Sequence, residues 1–280
     1  MNIHKLLVIV LVLLGASIFA ISLGARAAPD TALPTPRPCP SCWHPPLKTS
    51  WQWQLSGLPV DTSLNVKMYD IDLFENPKSK VAALHARGIK VICYMSAGSW
   101  EDWRPDAYKF PNSVKGKTLS GWPDEKWLDI RQISILAPIM RARMDTCKAK
   151  GFDGIEFDNV DGYTNNSGFP LTYQDQLKYN IFLANAAHAR GLSAALKNDN
   201  GQIYALAPYF DYALNEQCFQ YSECQNGKNS LVTNFINKGK AVFQVEYQLA
   251  ANQFCPLANS LNFNSMKKNL SLNKWRDPCR

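Results

Sequence analysis

The sequence predicts an α/β fold, a single (β/α)8 TIM-type barrel, and three observations support this prediction. Short apolar or alternating runs alternate with helical patterns along most of the chain, which is typical of parallel strands joined by helices. A helix, a glycine, one or two residues and a strand follow one another at Gly88, Gly151, Gly191 and Gly239. Glycine suits these helix ends because it readily adopts a positive φ. About 230 residues remain after the N-terminal segments, enough for one such barrel.

Eight strands are predicted, and that number in this length favours a closed barrel over an open doubly wound sheet. In chain order they are Trp51–Leu55, Lys67–Asp72, Lys90–Ser96, Gly154–Asp158, Ser193–Asn198, Tyr212–Glu216, Ala241–Tyr247 and, with the least regular pattern, Phe263–Leu270. The predicted helices are Lys78–Arg87, Gln132–Lys150, Tyr173–Arg190, Ser230–Asn237 and Ala250–Ser260. No glycine-rich phosphate loop follows the first strand, which argues against a dinucleotide-binding fold.

The N-terminus has the pattern of an export signal. Lys5 precedes an apolar run from Leu6 to Leu23, and the small-x-small sequence Ala25-Arg26-Ala27 suits signal peptidase. We therefore predict a signal peptide over residues 1–27, a Pro-rich linker over 28–47 and one barrel domain over 48–280. An uncleaved anchor is the alternative, because the apolar run approaches the length that spans a bilayer. We expect a secreted monomer without stable membrane association after cleavage.

Export makes the eight cysteines candidates for disulfides rather than metal ligands. Cys218 and Cys224 bracket a short loop and are the pair that we predict. Cys39-Pro-Ser-Cys42 resembles half of a zinc ribbon, but no second such pair follows. Cys93 lies within an apolar run and is equally compatible with a buried free thiol. The remaining connectivity stays open.

Charge and histidine content exclude several kinds of function. The net charge of +7 becomes +5 when Lys5 and Arg26 leave with the signal, and basic residues are not clustered, so we expect no nucleic-acid partner. None of the four histidines lies at a predicted strand end, as a Ser-His-Asp triad or a histidine metal site would require. Asp70-Ile-Asp72 resembles a metal-binding DxD, but a lone DxD is weak evidence. We predict no metal and no cofactor.

Acidic and amide side chains are concentrated where the predicted strands end. The carboxyl ends of barrel strands form the active site in this fold. Asp158 and Glu216 each end a strand beside an amide residue, and two carboxylates are the minimal machinery for hydrolysis of a glycosidic bond. A single acid at such a position more often caps the next helix, but five strand ends with this feature indicate a site. Trp122 and Trp127, in a Gly/Pro/Asp-rich loop, are candidates for stacking on sugar rings.

The same residues resemble glycoside-hydrolase family 114, from about Trp51 to Tyr247. The resemblance is carried by Trp51–Leu55, Cys93–Pro105 (CYMSAGSWEDWRP), Trp127–Arg131, Gly151–Tyr163 (GFDGIEFDNVDGY), Leu196–Asn198 and Asn215–Cys218. It implies a (β/α)8 barrel with endo-α-1,4-polygalactosaminidase activity on galactosamine-containing polysaccharides. The residue before Asp158 is often proline in that family and is Phe157 here.

The resemblance also implies residue roles. Asp158 would be the nucleophile and Glu216 the general acid/base of a retaining mechanism. The substrate would be held by Asp72, Tyr94, Trp127, Asp129, Asp161, Lys197, Asn198 and Glu246, with Asp72 and Glu246 holding the sugar amine. The leading hypothesis is thus a secreted, endo-acting, retaining glycoside hydrolase that cleaves α-1,4-linked galactosamine-containing polysaccharide. The alternative is a non-catalytic saccharide-binding barrel.

Overall fold

The computed structural model describes residues 33–280, of which Pro34–Arg280 form one compact unit. The predicted signal peptide and the first residues of the predicted linker lie outside the described residues. The remaining Pro-rich stretch packs against the barrel. The Tyr209 hydroxyl donates to the Pro34 carbonyl at 2.7 Å, and the Arg37 amide donates to Oδ1 of Asn185 at 2.8 Å.

The described chain contains twelve strands in two sheets. In chain order they are β1 (Trp51–Gln54), β2 (Met68–Asp72), β3 (Lys90–Ser96), β4 (Ser99–Glu101), β5 (Lys115–Leu119), β6 (Trp122–Leu128), β7 (Gly154–Asp158), β8 (Ser193–Lys197), β9 (Tyr212–Glu216), β10 (Val242–Glu246), β11 (Asn264–Lys267) and β12 (Asp277–Pro278). All eight predicted strands are present.

The larger sheet is a barrel of eight parallel strands. They pair in the order β1-β2-β3-β7-β8-β9-β10-β11, and the short β12 lies antiparallel to β11. The Trp51 indole donates to the Asn264 carbonyl at 2.8 Å, so the first and last barrel strands also meet. The predicted α/β barrel is therefore confirmed. Alternate residues of the strands fill the barrel interior, among them Trp51, Tyr212, Phe243 and Met266.

Six helices surround the barrel: α1 (Lys78–His85), α2 (Ile133–Lys150), α3 (Tyr173–His188), α4 (Ile203–Leu206), α5 (Leu231–Asn234) and α6 (Ala251–Ser260). Local chemistry sets their ends. Thr172 and Asp175 form a capping box at the start of α3, and α2 ends at Gly151, whose φ is 93°. All five predicted helices exist, although α5 is shorter than predicted. The single-turn α4 was not predicted.

The segment between β3 and α2 forms a small antiparallel sheet rather than the predicted loop. Its strand order is β4-β6-β5, with a tight turn at Gly121, where φ is 85°. The sequence of this segment has no regular alternation, because Pro123 interrupts β6 and the pairing of β5 with β6 is irregular. The sheet places Trp122 and Trp127 on the same strand, β6.

All eight cysteines lie in the described part of the chain and form four disulfides. The predicted Cys218–Cys224 bridge is confirmed. The free-thiol interpretation of Cys93 is wrong, because it bonds to Cys147 and so ties β3 to α2. Cys39 bonds to Cys42, and Cys255 bonds to Cys279. Between residues 33 and 280, no helix has the length and apolar character needed to cross a membrane.

Candidate active site

Inward-facing side chains from five neighbouring strands meet at the carboxyl end of the barrel. They are Tyr94 of β3, Asp158 of β7, Lys197 of β8, Glu216 of β9 and Tyr247, the residue after β10. Each stands two residues beyond a buried residue of the same strand, as the period of two in a β-strand requires. The sheet register pairs Lys197 with Leu214 and Val245 with Glu216, so Glu216 lies two residues beyond the level of Lys197, and Tyr247 lies two residues beyond the level of Glu216. This stagger lets the end residues converge.

Lys197 is the cation at the centre of this group. Its Nζ lies 2.7 Å from Oδ1 of Asp158, 3.0 Å from Oε1 of Glu156 and 3.3 Å from Oε2 of Glu216. The side chain is only 3% exposed, and Nζ lies 4.7 Å from the centre of the Trp53 ring. Burial by itself would lower the pKa of Lys197, but the carboxylates around it raise that pKa well above its usual value. Lys197 is therefore permanently charged.

Asp158 is held in its ionised form. Burial opposes ionisation, but the contact with Lys197 and a 2.7 Å hydrogen bond from the Tyr94 hydroxyl outweigh it and lower the pKa of Asp158. About a fifth of its side chain (19%) is exposed to the cleft. The site thus presents an exposed, ionised carboxylate at neutral pH.

Glu216 receives donors on both carboxylate oxygens. The Tyr247 hydroxyl donates to Oε1, while Asn198 Nδ2 donates to Oε2 at 2.9 Å. The Asn198 side chain also accepts from the Glu216 amide at 2.9 Å, with its own backbone in the left-handed region at φ 47°. The side chain of Glu216 is 23% exposed. Its carboxylate is fixed in position yet open to the cleft.

Two buried acids, Asp70 and Glu156, lie inside the barrel below the residues that face the cleft. Asp70 is fully buried, and burial together with Glu156 raises its pKa well above the usual range. Burial also raises the pKa of Glu156 to about 7. Neither oxygen of Asp70 has a hydrogen-bond partner in the described chain, and the raised pKa favours the protonated form of Asp70. Glu156 is left as the carboxylate that faces Lys197.

The converging residues form the floor of an open cleft of about 750 Å³. Acidic residues dominate its lining, with Arg104, Lys117 and Lys197 as the basic ones. The acids are Asp72, Glu75, Glu101, Glu125, Asp158, Asp161 and Glu216. Burial, followed by the charge of Asp158, raises the pKa of Asp161 to about 6, and burial raises the pKa of Glu125 to about 7. The antiparallel sheet forms one side of the cleft, where the Trp103 and Trp122 side chains are each 49% exposed.

Comparison with known proteins identifies the family. The sequence profile of glycoside-hydrolase family GH114 matches residues 33–280. The chain belongs to family GH114. It is a glycoside hydrolase, and the acid pair in the cleft is consistent with this class of enzyme. No curated protein matches the sequence.

Solved structures similar to this GH114 chain include the following two. Ega3 of Aspergillus fumigatus, crystallised in complex with galactosamine, is 42% identical with a TM-score of 0.80, covering 88% of this chain and 99% of Ega3. The glycoside hydrolase domain of PelA from Pseudomonas aeruginosa is 13% identical with a TM-score of 0.64, covering 81% of this chain and 97% of that domain. The PelA likeness concerns the fold alone.

The structure brings most of the sequence-predicted site residues to the GH114 cleft. Asp158, Glu216, Tyr94, Trp127, Asp161, Lys197, Asn198 and Asp72 all line it. Asp72 is already engaged, because Oδ2 lies 2.7 Å from Nη2 of Arg104 and Oδ1 accepts from the Phe74 amide at 2.7 Å. Its carboxylate therefore has little capacity left for a substrate amine.

Two of the predicted substrate-binding residues, Asp129 and Glu246, are not among the residues that line the cleft. Asp129 forms a two-point ion pair with Arg131, at 2.7 and 2.8 Å. Glu246 is fully buried on the outer face of β10, where it accepts from the Phe219 amide at 2.9 Å. Tyr247, one residue later, faces the cleft instead. Continuing the inward alternation of Phe243 and Val245 by two residues would have identified it.

Arg104 and Glu125 also line the cleft and were missed. Glu125 lies on β6 and accepts from the Ser99 hydroxyl at 2.6 Å, while Arg104 bonds to Glu101 at 2.6 Å. Both belong to the inserted segment that carries the antiparallel sheet. Because that sheet was not predicted, the sequence contained no usable signal for Glu125, whereas Arg104 lies in the Cys93–Pro105 segment that carries the family resemblance.

Proposed function

We propose that this protein is a secreted, endo-acting, retaining glycoside hydrolase that cleaves α-1,4-linked galactosamine-containing polysaccharide. One observation carries the proposal. Asp158 and Glu216, from strands two apart in the barrel, both contact the ammonium group of Lys197 in one acidic cleft. Hydrolysis of a glycosidic bond needs two carboxyl groups placed on either side of it.

The spacing of the two carboxylates supports a retaining mechanism. Oδ1 of Asp158 and Oε2 of Glu216 lie 2.7 and 3.3 Å from the same nitrogen, so those oxygens are no more than ~6 Å apart. Retaining enzymes hold their carboxyl groups roughly 5–5.5 Å apart, and inverting enzymes need roughly 6.5–9.5 Å to admit a water molecule. The short bridge through Lys197 therefore favours the spacing of retaining enzymes over that of inverting enzymes.

The ionised state of Asp158 favours it as the nucleophile, which leaves the role of acid and base to Glu216. Asp158, which is ionised, attacks the anomeric carbon while protonated Glu216 gives its proton to the leaving oxygen, so the glycosidic bond breaks and a glycosyl ester of Asp158 forms. Glu216 then takes a proton from water. The resulting hydroxyl attacks the anomeric carbon and releases Asp158. Two displacements return the original configuration.

The negative charge of the cleft lining favours a cationic substrate. Seven acidic residues against three basic residues line it, although the whole chain is net positive. Among these acids Asp161 is only weakly engaged, since its carboxylate has a single 3.4 Å contact, with Asn165 Nδ2. A sugar ammonium near Asp161 would gain a charge-assisted hydrogen bond. The galactosamine complex of Ega3, 42% identical to this chain, supports the same sugar class.

Endo-action and secretion rest on further features. The cleft is open and carries exposed aromatic rings away from the acid pair, which suits a polymer that extends in both directions from the cleaved bond. The pairing of all eight cysteines supports an oxidising compartment, in agreement with the export signal predicted in the sequence.

Substitution of the two acids tests the proposal. Asp158→Asn should abolish release of reducing ends from a galactosamine polymer, because no other group forms the glycosyl ester. Glu216→Gln should be severely impaired but should recover on glycosides whose leaving group needs no proton. Asp124→Asn, an exposed acid outside the cleft, is the matched control. Full activity of either variant would refute the assignment. Tight binding by the wild type without any cleavage would favour the non-catalytic saccharide-binding barrel.

A further inference from the structure

The Tyr247 hydroxyl contacts the acid that is proposed to move protons. Tyr247 follows β10 directly, and its hydroxyl donates to Oε1 of Glu216. Its place follows from the sheet: Val245 pairs with Glu216, and Tyr247 is the next inward-facing residue. Burial raises the pKa of Tyr247 well above its usual value, and the charge of Glu216 adds to this effect. The phenol is therefore a neutral donor at neutral pH.

The other partners of Glu216 differ chemically from Tyr247. Asn198 Nδ2 and Lys197 Nζ both reach Oε2, and an amide nitrogen or an ammonium group can only donate. A hydroxyl can donate or accept. Tyr247 can thus donate to the Glu216 carboxylate and, after a rotation of its hydroxyl, accept from the Glu216 carboxylic acid. In the described chain it is the one partner of the Glu216 carboxyl group that suits both protonation states.

A retaining cycle needs Glu216 first as an acid and then as a base. A hydroxyl partner that suits both protonation states therefore bears directly on the reaction. We propose that Tyr247 is a positioning residue that sets the pH range in which Glu216 holds its proton. The inference rests on the proposed role of Glu216. A hydrogen bond to a charged carboxylate is stronger than one to its neutral form, so Tyr247 favours loss of the proton and keeps Glu216 ready to accept one from water.

Three other charged or titratable side chains lie near Glu216. Lys197 reaches it from β8, Asp158 stands across the cleft on β7, and Asp161 lies on the loop after β7. Tyr94 of β3 donates to Asp158 and not to Glu216. The two tyrosines therefore serve different acids, one each, which makes a paired experiment possible.

The test is the pH profile of kcat/KM on defined galactosamine oligosaccharides. Activity needs ionised Asp158 at the acidic limb and protonated Glu216 at the basic limb. Tyr247→Phe removes the donor from Glu216, so the basic limb should move to higher pH by about one unit while the acidic limb stays. Tyr94→Phe should instead move the acidic limb to higher pH and leave the basic limb in place.

Controls separate this role from a structural one. Tyr179→Phe removes a buried hydroxyl that donates to the Ala97 carbonyl at 2.8 Å, and neither limb should move. If Tyr247→Phe folds poorly, 3-fluorotyrosine at position 247 keeps the shape and is a stronger donor, so the basic limb should move to lower pH.

Two results would overturn the inference. One is an unchanged basic limb in both the Tyr247→Phe and the fluorotyrosine proteins. The other is a folded Tyr247→Phe enzyme that is inactive at every pH and also on substrates with activated leaving groups. Failure of the proposed function is distinct, because it would appear as normal activity of Glu216→Gln. An inactive Glu216→Gln with an unmoved basic limb in both Tyr247 proteins would refute only the role of Tyr247.

Discussion

The ammonium group of Lys197 lies 2.7 Å from Oδ1 of Asp158, and this contact joins β8 to β7 at their carboxyl ends. The same nitrogen contacts Glu156 below and Glu216 beyond. One buried cation thus holds together three carboxylates that would otherwise repel one another. The distance between the two acids of the proposed mechanism depends on this side chain.

Lys197→Met should destabilise the protein by ~3–5 kcal/mol, because the carboxylates would keep their burial but lose their cation. It should also move the acidic limb of the activity profile to higher pH, since Asp158 would no longer be favoured in its ionised form. Thermal unfolding and a pH profile measure the two effects. Lys240→Met is the control, because the half-buried Lys240 donates only to the carbonyls of Ala207 and Phe210. A Lys197→Met enzyme with unchanged stability and profile would contradict the bridging role.

Asp161→Asn should raise KM for galactosamine oligosaccharides roughly tenfold, a loss of about 1.4 kcal/mol, and change kcat less. The reason is that Asn cannot form an ion pair with the sugar ammonium. With a pKa of about 6, Asp161 becomes charged as pH rises through that value, so KM of the wild type should fall over the same interval. The KM of Asp161→Asn should not change over that pH interval. Equal KM values for Asp161→Asn and the surface control Asp124→Asn would exclude this binding role.

Asp70→Asn should stabilise the protein at pH 7. The raised pKa of Asp70 means that the folded state keeps a proton that the unfolded chain releases above about pH 4, so stability from this group is lost as pH rises. Asn supplies a donor to Glu156 without needing that proton. Each kcal/mol gained should raise the unfolding midpoint by roughly 2–4 °C in a chain of this size. The gain should shrink as pH approaches 4, and a lower midpoint at pH 7 would show that Asp70 is ionised in the fold.

Trp122→Ala should reduce kcat/KM on long polymers roughly three- to tenfold, because a half-exposed ring on β6 would no longer stack on a distant sugar unit. Short oligosaccharides that do not reach the antiparallel sheet should be cleaved at the wild-type rate. Tyr108→Ala, an 81% exposed ring outside the cleft lining, is the control. An equal loss on short and long substrates would place Trp122 nearer the cleaved bond.

The elements of the barrel were predictable because their signals are local. The alternation within each strand and the glycine that follows each of four helices depend on neighbouring residues, and these signals located the eight strands correctly. The acidic strand ends, with Asp158 and Glu216 among them, follow from the same pattern, since side-chain direction at a strand end is set by period two. The resemblance to GH114 used residues in these same segments.

The sequence by itself determined the barrel, the family and the acids that end its strands. Only the tertiary structure decided which of those acids are available. Glu246 and Tyr247 differ by one position, and one position moves a strand residue from the inside of the barrel to the outside. Asp72 has its carboxylate taken by Arg104, and Cys93 has Cys147 as its partner, because barrel closure and the inserted sheet bring distant segments together. Contacts between residues far apart in the chain leave no periodic trace in the sequence, so only packing reveals them.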